Sequence, residues 1–137
     1  MATRYWAPSS PGDLADRWSI LNLKLTRCPA DDEVTRAACM RRLRELTVPE
    51  FDESTSALVD ALGRVNAALW DLEDTVRATM AAGDDHDRFV RAARCIPVLN
   101  DTRNHLKRRI DQLCGYDDMQ DVKLYCRPAP AQVKPPL

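Results

Sequence analysis

The sequence predicts an all-α fold, a helical bundle built on a long antiparallel helical hairpin with two shorter N-terminal helices. Three observations predict it. Apolar residues recur at alternating three- and four-residue steps through most of the chain, which is the period of a helix with one buried face. Only four glycines and few runs of β-branched residues leave little material for sheets or phosphate-cradling loops. The breaks Cys28-Pro29-Ala30, Thr47-Val48-Pro49 and Ala82-Gly83-Asp84-Asp85 divide the chain into four stretches. With 137 residues the chain has the length of one domain, expected over residues 10–126.

The first helix is expected from about Pro11 to Arg27. Ser10 is placed to cap it, Pro11 fits its first turn, and Asp13 follows three residues after the cap. Leu14, Trp18, Leu21 and Leu25 form its apolar stripe, with Asp16, Arg17, Ile20 and Lys24 on the flanks. Asp31 and Asp32 open a second helix to about Leu46, with Arg41, Arg42 and Arg44 near its end as the helix dipole favours. A third helix of close to 30 residues runs from about Asp52 to Ala81 and carries the stripe Leu58, Leu62, Val65, Leu69, Leu72 and Val76.

The fourth helix begins near Asp85 or Asp87 and continues to Cys114, where Gly115 makes a natural terminus. Its core stripe is Phe89, Ala92, Ile96, Leu99, Leu106, Ile110 and Leu113, and Pro97 is expected to kink it by removing a backbone donor. The segment RPAPAQVKPPL at 127–137 cannot form a packed element and is expected to be an extended tail, dispensable for folding.

Twenty basic residues against twenty-one acidic ones give a net charge of −1, so no general basic field draws a nucleic-acid backbone or an anionic membrane. No apolar run reaches the roughly 20 residues that span a bilayer, and the start MATRYWAPSS lacks the apolar segment expected of a secretory signal. The expected location is therefore cytoplasmic. Five cysteines without a closely spaced pair read as reduced thiols, and neither His86 nor His105 lies near one, so no metal and no cofactor is expected.

Beside the apolar stripe of the third helix runs a second row, Asn66, Trp70, Glu73 and Arg77, one position later at the same steps. The turn near Gly83 is short, so the two long helices should lie antiparallel with Asn66 level with Asn100 and Asp101, Trp70 level with Pro97, and Glu73 level with Arg94. The stretch LNDTRNHLK adds Asn100, Arg103 or Asn104, and Lys107 on one flank at that height, and Asp16 and Lys24 contribute from the first helix. One reading is rim salt bridges, Glu73 with Arg77 and Asp101 with Arg94 or Lys107, which contribute about 0–1 kcal/mol each. The other is a ligand pocket between helices, in which arginine forks and planar amides recognise a polar molecule. The acids of DDHD at 84–87 read as helix caps. Asp71, Asp74 and Asp101 offer too few carboxylates for a well-supplied Mg²⁺ site.

DRWSILNLK (16–24), VNAALWDLED with Arg77 (65–77), LNDTRNHLK (99–107) and VKLY (122–125) together resemble the signature of a family of small helical proteins of unknown function found in bacteria and phages, often encoded beside genes for sugar and glycan chemistry. The resemblance spans about residues 13–125. It implies that Asp16, Lys24, Asn66, Trp70, Glu73, Asp74, Arg77, Asn100, Asp101, Arg103, Lys107, Lys123 and Tyr125 are the family's recurrent polar and aromatic positions. The sequence departs from the pattern at Pro97, where an aromatic is more usual, at Tyr116 and in the proline-rich tail. The resemblance brings no established reaction.

The function these residues lead us to expect is non-enzymatic binding, in the form of retention or sequestration, of a small anionic nucleotide- or sugar-like ligand by a self-associating bundle. Arg77, Arg103 and Lys107 would meet phosphates or carboxylates, Asn66, Asn100 and Asp101 would read hydroxyls or a base edge, and Trp70 would stack on a ring or sit in the core. The alternatives are a metal-dependent nucleotide- or sugar-modifying enzyme using Glu73, Asp74 and Asp101, and a protein-interaction adaptor for a glycan-pathway enzyme.

Overall fold

A computed structural model describes residues 2–83 and 85–116. The proline-rich tail, Lys123, Tyr125 and Cys126 lie outside the described residues. Four helices follow in order: α1 (Pro11–Arg27), α2 (Glu33–Glu45), α3 (Glu53–Ala82) and α4 (His86–Leu113). No strand occurs among the described residues.

Local chemistry sets the ends of these helices. Ser10, Asp32, Asp52 and Asp85 each cap a helix by accepting the backbone N–H three residues on, at 2.7–3.1 Å. Accepting those bonds holds the carboxyls of Asp32 and Asp52 below their ordinary value, the Thr35 and Thr55 backbone N–H groups being the largest cause. Gly83 ends α3 in the left-handed region at φ 68°, where a Cβ would be strained. Gly115 follows α4 at φ 71°. Pro97 lies inside α4, which continues through it.

The α3–α4 hairpin carries the core. One cluster packs Ala15, Val59, Leu62 and Ile110, with Phe51, Leu58 and Leu106 against it, and a second packs Val65, Leu69 and Leu99, with Leu72 and Ile96 at its edge. These partners are the residues equally distant from the turn, so the antiparallel register follows the arithmetic of a short connection. Leu113, expected at the end of the α4 stripe, is exposed, because the bundle has no further layer at that end among the described residues.

Helix α1 lies across one end of the hairpin, beginning beside Lys107 and Asp111 and ending beside Asp71. It buries Gly12, Ala15, Asp16, Ser19 and Leu21, whereas Trp18, expected in its apolar stripe, is 42% exposed. The face is rotated toward small residues because they admit a close approach: a Cβ on Gly12 would stand 2.3 Å from the Lys107 carbonyl oxygen. Helix α2 touches α1 alone among the helices and buries only Cys39.

Candidate polar site at the three-helix junction

Asp16 sits where α1, α3 and α4 meet, and it is 4% exposed. An ionised carboxylate in that position requires partners. Arg103 supplies two in fork geometry, its Nε donating to Oδ1 at 2.9 Å and its Nη2 to Oδ2 at 2.5 Å. Asn66 donates from Nδ2 to Asp16 Oδ1 at 3.0 Å and to Ser19 Oγ at 3.1 Å. Lys107 brings its Nζ to 2.8 Å from Asp13 Oδ1 and 3.9 Å from Asp16 Oδ2. Donating to the Asp16 carboxylate raises the Arg103 guanidinium above its ordinary value, against burial, which acts in the other direction.

Two carboxylates and two cations make this cluster formally neutral. It opens to solvent through the Arg103 and Lys107 side chains, which are 28% and 17% exposed, and through Asp13. Arg103 spends Nε and Nη2 on Asp16, and its Nη1 has no hydrogen-bond partner among the described residues.

Of the ten residues expected at the site, Asp16, Asn66, Arg103 and Lys107 come together. The α3 row turns outward beyond Asn66. Trp70 is partly buried under the Arg27 guanidinium, 5.7 Å from the ring centroid, and Arg27 also pairs with Asp71. Glu73 and Arg77 are exposed and 3.9 Å apart, with Asp74 at the same distance from Arg77. Glu73 still acts on the Arg103 charge through space. Lys24 and Asn100 are partly buried, Asp101 is exposed, and none of the three joins the cluster through a hydrogen bond or ion pair. The rim pairs of Asp101 with Arg94 or Lys107 do not form.

Asp13 and Ser19 were not expected in the cluster. Both stand one turn from Asp16 on α1, so helical spacing alone could have found them. A second buried carboxylate also escaped the sequence reading: Asp111 accepts the Gly12 N–H at 2.7 Å through Oδ1, while Oδ2 is buried with no hydrogen-bond partner among the described residues. Burial pushes the Asp111 carboxyl above its ordinary value, opposed first by that bond from Gly12.

The molecule is thus an all-α bundle on a long hairpin, with a neutral polar cluster buried at its three-helix end. No family model, curated protein or solved structure matches the chain.

Proposed function

We propose that the chain is a non-catalytic binding module that takes a small anionic ligand, of nucleotide or nucleotide-sugar type, at the mouth of the Asp16 cluster. One observation carries the reading: Arg103 is clamped by a buried carboxylate through one edge of its guanidinium, which fixes its orientation and leaves Nη1 uncommitted, while the ammonium of Lys107 approaches the same carboxylate. A preoriented guanidinium and a neighbouring ammonium suit a phosphate or carboxylate and need little ordering on binding. In the unliganded protein Asp13 stands where the anion would go, paired to Lys107 from a more exposed position. The ligand would displace Asp13 and leave the inner Asp16–Arg103 pair intact.

Among the described residues no three of the His, Cys, Asp and Glu side chains converge to hold a metal ion, which leaves the enzyme reading on Glu73, Asp74 and Asp101 without a metal set. The adaptor reading keeps one observation in its favour, the high exposure of Tyr5, Trp6 and Val34 near the weakly packed α2 end of the chain.

Native mass spectrometry and calorimetry against nucleotides and nucleotide sugars, with and without Mg²⁺, test the proposal. Binding that tightens in Asp13→Asn and weakens in Lys107→Met supports the site. Retention of no ligand sinks it, and product formation in place of retained ligand promotes the enzyme.

A further inference from the structure

One ammonium serves three carboxylates where α1 meets α4. Lys107 Nζ pairs with Asp13 at 2.8 Å, stands 3.9 Å from Asp16 Oδ2, and acts through space on Asp111, which follows one turn later on α4. Asp16 has the Arg103 fork besides, whereas Asp111 forms no ion pair among the described residues. From α1, the Gly12 N–H and the Ser10 hydroxyl favour the ionised form of Asp111, and the Asp13 carboxylate opposes it. On its own helix stands the Cys114 thiol, on which Asp111 and the α3 cap Asp52 both act. Counting Asp111 with the neighbouring cluster sets three carboxylates against Arg103 and Lys107.

Asp111 is 4% exposed, and its two oxygens differ. Oδ1 takes the Gly12 N–H at 2.7 Å, while Oδ2 is buried with no hydrogen-bond partner among the described residues. A proton on Oδ2 therefore displaces no hydrogen bond, keeps the tie to Gly12, and removes a charge that burial disfavours. Gly12 and Asp13 are consecutive, so one turn of α1 carries both the N–H that holds Asp111 and the carboxylate that occupies Lys107. An anion that displaces Asp13 draws the Lys107 ammonium toward itself and adds negative charge one turn from Asp111. Both changes favour the neutral carboxyl. Binding linkage is reciprocal, so the factor by which the anion favours the proton is the factor by which the proton favours the anion.

We infer that the site takes its anion together with a proton, held on Oδ2 of Asp111, so that the ligand binds more tightly in acid than at neutral pH. The inference rests on the anion-binding reading of the Asp16 cluster and adds the regulation of that site. The proton comes from solvent, and no bond of the ligand is made or broken. Lys107 is the link between the two events, because its ammonium is shared by the ligand and the buried carboxylate. The inner Asp16–Arg103 pair stays ionised throughout and keeps the guanidinium oriented.

Sulfate is the probe, because it brings no titrating proton of its own. Calorimetry on the full chain at about pH 5 and about pH 7.5, each in two buffers of different ionisation enthalpy, reads both affinity and proton uptake. Sulfate is expected to bind about five- to tenfold more tightly at the lower pH, with net uptake of a proton. Asp111→Asn keeps an oxygen for Gly12 but cannot titrate, and it should lose the uptake, whereas Asp13→Asn should retain it. The ¹³C shift of the Asp111 carboxyl carbon in the wild type reads the same proton without a substitution, and its midpoint should rise when sulfate is added. Equal affinity at the two pH values, uptake that persists in Asp111→Asn, or an unmoved midpoint overturns the proposal and leaves the anion site standing. Absence of any Lys107-dependent sulfate binding at either pH removes the anion-binding reading and this inference together.

Discussion

The backbone N–H of Gly12 donates to the buried carboxylate of Asp111 at 2.7 Å, tying the first turn of α1 to the last turns of α4 across 99 residues of chain. The contact needs a residue without a side chain, because a Cβ at position 12 would stand 2.3 Å from the Lys107 carbonyl oxygen and 2.9 Å from Asp111 Oδ1. Gly12→Ala would therefore push α1 off α4, although alanine favours the helix in isolation. A loss of about 1–3 kcal/mol is expected in urea unfolding. Unchanged or higher stability would show that the junction yields without loss.

Asp111 itself should give a pH signature opposite in sign to that of an ordinary salt-bridged acid. Burial raises its carboxyl above the ordinary 3.8, assisted by the nearby Asp13 charge and opposed by Gly12, Ser10 and Lys107. The folded state thus holds the proton more tightly than the unfolded chain. Ionised Asp111 costs stability at neutral pH, and the cost is relieved as pH falls through the folded pKa toward 3.8. Asp111→Asn keeps an oxygen for Gly12 and removes the charge. Its stability relative to the wild type should be most favourable at pH 7 and fall on acidification, a trend that urea unfolding between pH 4 and 7 would detect or refute.

The helix caps should behave in the reverse sense. Asp52 accepts the Thr55 N–H at 2.7 Å, and that bond, with one from the Thr55 side chain, lowers its carboxyl below 3.8. A depressed folded pKa contributes stability that is present above 3.8 and lost as pH falls through the folded value. Asp52→Ala should lower the melting temperature at neutral pH, and the gap should close in strong acid. A gap independent of pH would assign the effect to something other than the ionised cap.

Arg103 and Asp16 should be strongly coupled in the unliganded protein. Removing either leaves the other's charge at a largely buried position, at a cost of about 2–4 kcal/mol given that Arg103 retains some water contact. The double substitution should cost much less than the sum of the two. Arg103→Lys should recover only part of the loss, since an ammonium cannot form the paired bonds to both oxygens. Additive effects in the double-mutant cycle would reduce the cluster to a set of independent surface pairs.

The parts of this structure legible from sequence are those determined by neighbours in the chain. Caps such as Ser10 and Asp85 act over three residues, Gly83 terminates α3 through its own backbone freedom, and a short turn forces the antiparallel register that sets Leu69 beside Leu99. The flanking polar rows were legible for the same reason, because helical spacing places Asn66 and Arg103 on definite faces. Only the tertiary structure decided which members of those rows meet. Helix α1 approaches α4 through Gly12 and buries Ala15 and Ser19, turning Trp18 outward and carrying Asp16 into the junction. Once Asp16 is buried, the cost of an unpaired carboxylate draws Arg103, Asn66 and Lys107 around it, while Glu73 and Arg77, which α1 does not reach, stay in water. The rotation of one helix about its axis depends on the close approach its smallest residues allow, and hydrophobic periodicity, which weighs Trp18 above Gly12, points to the other face.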